Sequence, residues 1–569
     1  MFHQILAPVA GNLFLSLIVG FIPIIVVLIL LGIVRRPAWQ AALAGLIIGL
    51  IIAIWIWQMP VQQAASATLN GMLFALIPVM WIVWNAMWLY NIAVRSGKFE
   101  LFRRWMVYNV PPDKRILLLI IGFSFGALME GVAGFGTPVA IGSALLIALG
   151  FPALEAVTLT LIFNTTPVAF GALGVPITTL ASVTGLHAGT LGAMVGRQLP
   201  IFGLVLPFYA MVIFTGFRSL RTIWPVALVA GLSFALMQFT VSNFVGPELP
   251  DVLASLFSLI CVILFVQVWK PRDMELYRAT FAPVVERTTV SGNAAVLEAG
   301  SARVESGDDQ AASETSSNPQ KPNLGEAILA WLPWLLVSVI VIIWTFLKVP
   351  AFGAQSIHWP GLDKQIYLTL YNKPYAAVYA FQPLGTGTAI LLAVIITAIA
   401  MIMAGSSVSI IWLALVDTWR QLRFPILTVM LIIGLAYLYN YSGMAYTLGL
   451  AISKVGGIFP FFSVFLGWIA CFLSGSDTSS NALFGNLQVV AARQLNLSPV
   501  LMAASNSSGA VMSKMISPQN VSTGVSTTEL NGKEGLIIRR TFFHSIILAT
   551  ILGIIVMIQQ YLIPGIIPH

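Results

Sequence analysis

NTTPVAFGALGVP, at residues 164–176, returns in a related form as NSSGAVMSKMISP at residues 506–518. Each copy begins with Asn and two hydroxyl residues, and each places a Pro twelve positions after that Asn. The second copy starts at Asn506, which is 342 positions after Asn164. Internal similarity of this kind indicates a chain built from two related halves.

Two further features recur in the same order and at nearly the same separation. EGVAGFGTP begins at Glu130, and SGSDTSSNA begins 344 positions later at Ser474. A proline-led apolar run that ends in Tyr-Asn occupies 78–91 and again 425–440. The alternative is accidental similarity among apolar segments rich in Gly and Ser, because few residues are identical.

The positions of Lys and Arg predict how the two halves are oriented. The run at 70–92 follows an uncharged loop and leads into a basic one, whereas the run at 425–440 follows Arg420 and Arg423 and leads into a loop with Lys454 alone. Since basic loops stay on the cytoplasmic side, the two copies should cross the membrane in opposite directions. Inverted repeats of this kind are typical of secondary transporters.

The composition requires a membrane environment for most of the chain. Its 569 residues are 58% hydrophobic and only 8% charged, against roughly 25% charged in a soluble domain. The apolar runs are long and continuous, which favours helices over a β-barrel. We predict an all-α polytopic membrane protein with about 12 to 14 spans of roughly 20 residues each. Each inverted repeat should contain a re-entrant hairpin and a broken helix.

Five regions follow from these patterns. A polar segment rich in Ala, Ser, Gly, Asp and Glu separates the halves, and its core at 291–323 should be a disordered linker. The net charge of +8 is expected in cytoplasmic loops and does not indicate nucleic-acid binding. The predicted regions are 1–69 (N-terminal spans), 70–270 (first transport repeat), 271–325 (polar linker), 326–423 (connecting spans and loop) and 424–569 (second transport repeat with the C-terminal span).

The Gly- and hydroxyl-rich segments are the predicted substrate site. Irregular backbone at membrane depth survives only where protein shields it or where it lines a cavity. The two Asn-led segments should begin half-helices whose free N–H groups face an anion. The predicted substrate-binding residues are Asn164, Thr165, Thr166, Ser476, Ser479, Asn481, Asn506, Ser507, Ser508 and Lys514.

Three ionisable residues stand in these segments. Glu130 and Asp477 are the predicted proton-coupling residues, because burial penalises an ionised carboxylate and favours proton uptake. Asp477 is preferred since it should lie at a hairpin tip. The alternative is a carboxylate that caps a half-helix or pairs with Arg. Lys514 could hold a substrate carboxylate, or instead pair with Asp477 or extend to the interface.

The remaining polar residues and motifs predict no catalysis. Arg197, Glu248 and Asp251 flank apolar runs and should anchor or cap helices at the interface. No nucleophile paired with a His base stands in the apolar runs, and no phosphate-binding loop or zinc motif occurs at a credible place. We expect neither an enzyme nor an ATP-driven pump, and no cofactor or metal. A channel is disfavoured by the two-repeat design with buried carboxylates.

Several long motifs resemble those of the bacterial L-lactate permease family: EGVAGFGTPVAI (130–141), NTTPVAFGALGVPI (164–177), MVGRQLP (194–200), SNFVGPELPD (242–251), SGSDTSSNALF (474–484) and KMISPQ (514–519). The resemblance covers nearly the whole chain. It implies a multi-pass inner-membrane symporter that imports L-lactate with protons, and D-lactate or glycolate as further substrates. The polar insert at 291–323 and the stretch at 522–535 depart from the family pattern.

A sodium-coupled carboxylate transporter is the alternative to proton coupling. The Asn-Thr-Thr and Asn-Ser-Ser segments could coordinate Na⁺ through carbonyl and hydroxyl oxygens. Small carboxylates, protons and membrane lipid are the expected partners, and the sequence leaves the oligomeric state open.

Overall fold

The structure is a computed structural model that describes residues 1–34, 36–132, 134, 137–279, 323–525, 528–530 and 533–568. The predicted disordered linker at 291–323 lies outside these residues, except for Asn323. Asn323 itself caps the helix that follows, because its side chain accepts from the backbone N–H of Glu326 at 2.8 Å.

Helices form most of the described chain. In the first half they are α1 (Leu13–Gly32), α2 (Ala38–Trp55), α3 (Val61–Phe74), α4 (Trp81–Arg95), α5 (Lys98–Tyr108), α6 (Lys114–Leu117), α7 (Gly126–Val132), α8 (Thr137–Ala148), α9 (Ala153–Phe163), α10 (Gly171–Thr184), α11 (Ala188–Val195), α12 (Leu199–Phe244) and α13 (Pro250–Val268). In the second half they are α14 (Leu324–Phe346), α15 (Thr386–Met403), α16 (Ser409–Ser442), α17 (Met444–Ile452), α18 (Phe459–Ser474), α19 (Asp477–Gln494), α20 (Pro499–Ser513), α21 (Pro518–Val525) and α22 (Glu534–Tyr561).

The prediction of a polytopic α-helical membrane protein is confirmed. Among the described residues, 11 helical segments are long and apolar enough to cross a membrane, or 12 if the bent pair α9–α10 counts as one span. α12 has 46 residues and a non-helical Gly216 within it. At 1.5 Å per residue it measures about 70 Å, which is long enough for two crossings. Counting it twice brings the total into the predicted range.

Two helical hairpins enter the protein from the two halves of the chain. In the first, α6 continues through a π-helical segment, Leu118–Phe125, into α7, and α8 packs back against this arm. Every residue of the arm's most apolar 18-residue window between Lys114 and Val132 is buried by protein, whereas α2 is 39% buried. The second hairpin is α18 and α19, which turn at Gly475. The first hairpin is therefore enclosed by other helices rather than exposed to lipid.

Each hairpin is followed by an interrupted helix. α9 and α10 meet at a 65° bend. α20 gives way to a 3₁₀ turn, Lys514–Ile516, before α21 begins. These breaks place backbone ends inside the protein, where they lie beside the hairpin tips.

The prediction that both Asn-led segments begin half-helices is wrong. Asn164 is the residue that follows α9, and Asn506 lies in the middle of α20. The second segment has no helix breaker before Pro518, so the helix continues for two more turns past Asn506. Asn164 and Lys514 instead share one feature, because each is the first residue after an interrupted helix.

Short strands cover one end of the bundle, which the sequence did not predict. The strands are β1 (Phe2–His3), β2 (Gln355–His358), β3 (Ile366–Leu368), β4 (Lys373–Pro374) and β5 (Val378–Phe381). β3 pairs in parallel with β1 and antiparallel with β4, while β2 pairs antiparallel with β5. The chain's first residues are thereby fixed against the long loop between α14 and α15.

Candidate functional site

A cavity lies where the two hairpin tips and the two helix breaks meet. Its volume, counted as the space that the centres of water molecules can occupy, is about 50 Å³. Since one water needs about 10–15 Å³ of such space, the cavity has room for a few atoms of that size. The lining residues are Glu130, Gly134, Val168, Gly171, Ala172, Val175, Pro176, Gly475, Ser476, Asp477, Thr478, Lys514, Gln519 and Asn520.

Glu130 of the first half is paired with Lys514 of the second. The Lys514 Nζ atom donates to Glu130 Oε1 at 2.7 Å, and Asn164 Nδ2 donates to Glu130 Oε2 at 2.9 Å. The Glu130 and Lys514 side chains are only 3% and 6% exposed. Each carboxylate oxygen of Glu130 therefore accepts a hydrogen bond from a residue that directly follows an interrupted helix.

Asp477 lies at the tip of the second hairpin, across the cavity from Glu130. It forms no ion pair among the described residues. It is the first residue of α19, and Ser476 caps that helix by accepting from the N–H of Ser479. Asp477 Oδ2 accepts from the Ser507 hydroxyl at 2.6 Å, and its Oδ1 has no partner among the described residues. One carboxylate oxygen is therefore left to interact with a ligand or a proton.

A hydrogen-bonded network supports Ser507 and Asp477 from behind. Asn481 Nδ2 donates to the Ser507 hydroxyl at 3.2 Å and to the carbonyl of Pro176 at 3.1 Å. Asn506 Nδ2 donates to Asn481 Oδ1 at 2.9 Å, and Gln488 donates to Asn506 Oδ1 at 3.0 Å. The network links α19 and α20 to the break in the first half, so it fixes the cavity wall.

Strained backbone forms another part of the wall. Ala172 and Leu173 have φ of 45° and 57°, in the left-handed region that side chains other than Gly rarely adopt. Gly174 follows with φ of 76°. A run of left-handed residues costs free energy that the surrounding structure must supply, and such strain concentrates at functional sites.

The structure brings the predicted residues together but gives them different places. The cavity is lined by four of them: Glu130, Ser476, Asp477 and Lys514. Three lie directly behind it and hold lining groups by hydrogen bonds: Asn164, Asn481 and Ser507. The others are buried nearby and do not line it: Thr165, Thr166, Ser479, Asn506 and Ser508.

Sequence reasoning missed several residues of the wall. Gln519 and Asn520 line the cavity, and Asn520 Nδ2 donates to the carbonyl of Gly475 at 3.0 Å. They follow Pro518 within the quoted KMISPQ motif, which was the available signal. The alternative that Lys514 pairs with Asp477 is wrong, because its partner is Glu130.

Asp251 is not the interface residue that the sequence predicted. Its side chain is fully buried, and it accepts from Gln238 Nε2 at 3.0 Å. Arg197 does anchor a helix end, because it donates to Asn243 Oδ1 at 2.8 Å and to the carbonyl of Ile566. The difference arises because the loop before Asp251 leads α13 towards the tip of the first hairpin.

Two carboxyl groups and one ammonium line the cavity. Glu130 and Asp477 face one ammonium, that of Lys514. Within the described ranges, no group of three or more His, Cys, Asp or Glu residues could hold a metal ion. The Lys514 ammonium is already paired with the Glu130 carboxylate in this structure.

Many apolar spans around a buried, charged cavity define a multi-pass membrane transporter. The sequence model of a family described as L-lactate permease matches residues 16–563, and the chain belongs to that family. It is a multi-pass protein of the bacterial inner membrane.

Curated relatives match over nearly their whole length. The chain is 41% identical to the glycolate permease GlcA of Escherichia coli K12, over 98% of this chain and 97% of the relative. It is 39% identical to the L-lactate permease of Bacillus subtilis 168, over 99% of each. Among solved structures it is similar to the YdaH transporter of Alcanivorax borkumensis, with a TM-score of 0.45 and 13% identity over 87% of each chain.

Proposed function

We propose that this chain imports L-lactate, and also D-lactate or glycolate, together with protons. The names of its relatives support this substrate class, since one is a glycolate permease and another an L-lactate permease. The cavity has room for a small organic acid and not for a nucleotide or a peptide. The observation that carries the proposal is the ion pair between Lys514 and Glu130 inside that cavity.

Lys514 binds the substrate carboxylate in this mechanism. An ammonium donates a charge-assisted hydrogen bond to a carboxylate, and such a bond is roughly twice as strong as one between neutral groups. Ser476 and Thr478 line the same cavity and offer hydroxyl groups to the substrate's 2-hydroxyl. A ligand without the hydroxyl would leave buried polar groups unpaired, so it should bind more weakly.

Proton coupling follows from competition at Lys514. In this structure the Lys514 ammonium donates to Glu130, so it is not free to bind the substrate carboxylate. Protonation of a cavity carboxylate removes one negative charge, which lets the substrate carboxylate take the place of Glu130 at Lys514. A second anion beside an ionised Glu130 would be disfavoured by like-charge repulsion in a medium of low dielectric constant.

Glu130 and Asp477 both remain proton carriers in this proposal. Asp477 has a free carboxylate oxygen towards the cavity, whereas Glu130 competes directly for Lys514. Their conservative amide variants separate these roles, because each removes one titrating group and keeps its size.

The two-halves arrangement is also part of the proposal. We take 70–270 and 424–569 as inverted transport repeats, with 1–69 and 326–423 as supporting spans. In support, each half contributes one hairpin and one interrupted helix to the cavity. A pair of repeats that rock against each other would open the cavity alternately to the two sides.

Uptake into proteoliposomes tests the proposal. Purified protein should accumulate labelled L-lactate against its gradient when the outside is acidic, and the internal pH should fall with uptake. Replacement of Na⁺ by K⁺ or choline should leave this accumulation unchanged. Accumulation that needs Na⁺ and ignores the pH gradient would favour the sodium-coupled alternative and overturn proton symport.

A further inference from the structure

Asp251 is a buried carboxylate that the mechanism above does not use. Its side chain is 0% exposed, yet none of the ion pairs found among the described residues includes it. Its Oδ1 accepts from the neutral amide of Gln238, and its Oδ2 has no hydrogen-bond partner in the described part of the chain. An ionised carboxylate in that setting lacks both a counter-ion and a full set of donors, which costs several kcal/mol or more.

Asp251 lies against the tip of the first hairpin. A methyl group added at Gly131 would come within 3.1 Å of the Asp251 Cβ atom and of the Val252 backbone nitrogen. The absence of a side chain at Gly131 lets α13 approach α7 this closely, since an added methyl group would push the two helices apart by a few tenths of an ångström, and Gly131 is the neighbour of Glu130. Asp251 is within electrostatic range of both Glu130 and Lys514.

Gln238 connects Asp251 to the break between α9 and α10. Its Nε2 donates to Asp251 Oδ1 at 3.0 Å and to the carbonyl of Thr166 at 3.4 Å. Gln238 Oε1 and the Thr165 and Thr166 hydroxyl oxygens have no partner among the described residues. A buried cluster of polar side chains therefore extends from Asp251 to the residues beside Asn164. Asn164 in turn donates a hydrogen bond to Glu130.

The charges near Asp251 determine whether its carboxyl group is protonated or ionised. The charged groups that act on it are Glu130 on α7 and Lys514 beyond it. Glu248 stands three positions earlier in the sequence, on the loop before α13. Lys514 neutralises Glu130, with which it is in direct contact. Nothing in the described structure neutralises Asp251, so the resting state is stable only with a proton on it.

We propose that Asp251 is a further proton-binding residue of the transport cycle, and that it supplies the proton which Glu130 takes up when the substrate binds Lys514. The O–H bond at Asp251 breaks as an O–H bond at Glu130 forms, so the two carboxyl groups together keep one proton. Glu130 becomes neutral and releases Lys514 to the substrate carboxylate. Asp251 then takes a proton from solution, and Glu130 releases its proton on the inner side when the substrate leaves and Lys514 returns to it. The inference rests on the proposed proton symport.

Asp251→Asn tests the inference in proteoliposomes, because the amide keeps the shape of the acid and cannot release a proton. We expect pH-driven accumulation of labelled L-lactate to fall at least tenfold, while exchange of labelled for unlabelled L-lactate stays within about threefold of wild type. Asp417→Asn is the control, since Asp417 is half-buried in an ion pair with Arg95 away from the cavity. Accumulation in Asp251→Asn equal to that of the control would overturn the inference.

The wild-type arm separates this inference from the proposed function. If the wild-type protein fails to accumulate L-lactate under a pH gradient, proton symport itself is wrong. If Asp251→Asn loses exchange as well, Asp251→Glu decides: accumulation whose pH midpoint is displaced by half a unit or more supports a proton-binding role. Loss of both activities in Asp251→Glu, or an unchanged pH midpoint, would mean that Asp251 is only structural.

Discussion

Asn164 and Lys514 are each the first residue after an interrupted helix, and they donate to the two oxygens of one carboxylate, that of Glu130. The contact joins the two halves of the chain at the cavity. The Glu130 carboxylate is thereby hydrogen-bonded to a residue at each of the two helix breaks. In the proposed mechanism, neutralising Glu130 would release Lys514 and link substrate binding to motion between the halves.

Lys514→Ala should weaken substrate binding strongly. The variant removes the cavity's ammonium and also leaves Glu130 without its counter-ion. We expect the half-saturating L-lactate concentration to rise at least tenfold, which corresponds to about 1.4 kcal/mol. Initial rates of exchange across a range of L-lactate concentrations measure this change. Lys454→Ala is the control, because Lys454 is exposed. An unchanged half-saturating concentration in Lys514→Ala would remove Lys514 from the substrate site.

Asp477→Asn should abolish proton-driven accumulation and leave some exchange. The amide cannot carry a proton, but it can still accept from the Ser507 hydroxyl, so the network behind it survives. The measurement compares labelled lactate accumulated under a pH gradient with labelled lactate exchanged at equal pH. Glu275→Gln, at an exposed ion pair, is the control. Full accumulation in Asp477→Asn would leave Glu130 as the carrier.

The sequence predicted which charged residues would meet and failed to predict how they pair. Glu130, Asp477 and Lys514 are few and costly in an apolar chain, so their convergence could be inferred from the energy of burying charge. The choice of Glu130 over Asp477 as the partner of Lys514 depends on where α20 ends. Local propensity continues the helix past Asn506, and the sequence does not specify at which residue before Pro518 it ends.

Asp251 shows a second limit of sequence reasoning. A carboxylate next to Pro at the start of an apolar run predicts a residue that caps a helix at the membrane interface, where a negative charge is favourable near the helix N-terminus. Its burial depends on Gly131, 120 positions earlier, which allows α13 to reach the hairpin tip. Only the tertiary structure brings these two residues together. The polytopic architecture, in contrast, follows from composition alone, because no fold hides so much apolar surface from water.

Gly475→Ala should impair transport more than its stability loss explains. Gly475 ends α18 with φ of 71°, and an added methyl group would lie 2.7 Å from Gln519 Oε1, in the cavity wall. Gly185 is a matched control: it ends α10 with φ of 69°, and an added methyl group there meets nothing within 4 Å. Both variants should lose about 1–2 kcal/mol for a left-handed Ala.

Only Gly475→Ala should also displace Gln519 from the cavity. We expect its transport rate to fall at least fivefold relative to Gly185→Ala at equal amounts of folded protein. Thermal unfolding in detergent measures the shared strain, and exchange of labelled L-lactate measures the separate effect. Equal transport by the two variants would show that crowding at the second hairpin tip does not matter.

Acid should weaken the contact at the base of the first hairpin. Arg115 donates to both oxygens of Asp273 at 2.9 and 3.0 Å. The Arg115 guanidinium lowers the pKa of Asp273 below its ordinary value, and the Thr222 hydroxyl adds to this effect. Because the folded pKa is the lower one, the unfolded state binds more protons as the pH falls. The contribution of Asp273 is therefore complete above its unfolded pKa near 3.8 and is lost as the pH falls through the folded pKa.

Asp273→Asn should remove this contribution at neutral pH and flatten the dependence on acid. The measurement is the unfolding temperature of wild type and variant between pH 7 and pH 3. The two curves should lie apart at pH 7, with the variant lower, and should approach each other once the pH falls below about 3.8, because the wild-type contribution is lost as the pH falls towards the folded pKa. Glu275→Gln, two positions away and exposed, should follow the wild type throughout. A constant separation between wild type and Asp273→Asn across the whole range would show that the ionised form of Asp273 contributes nothing to the stability of the hairpin base.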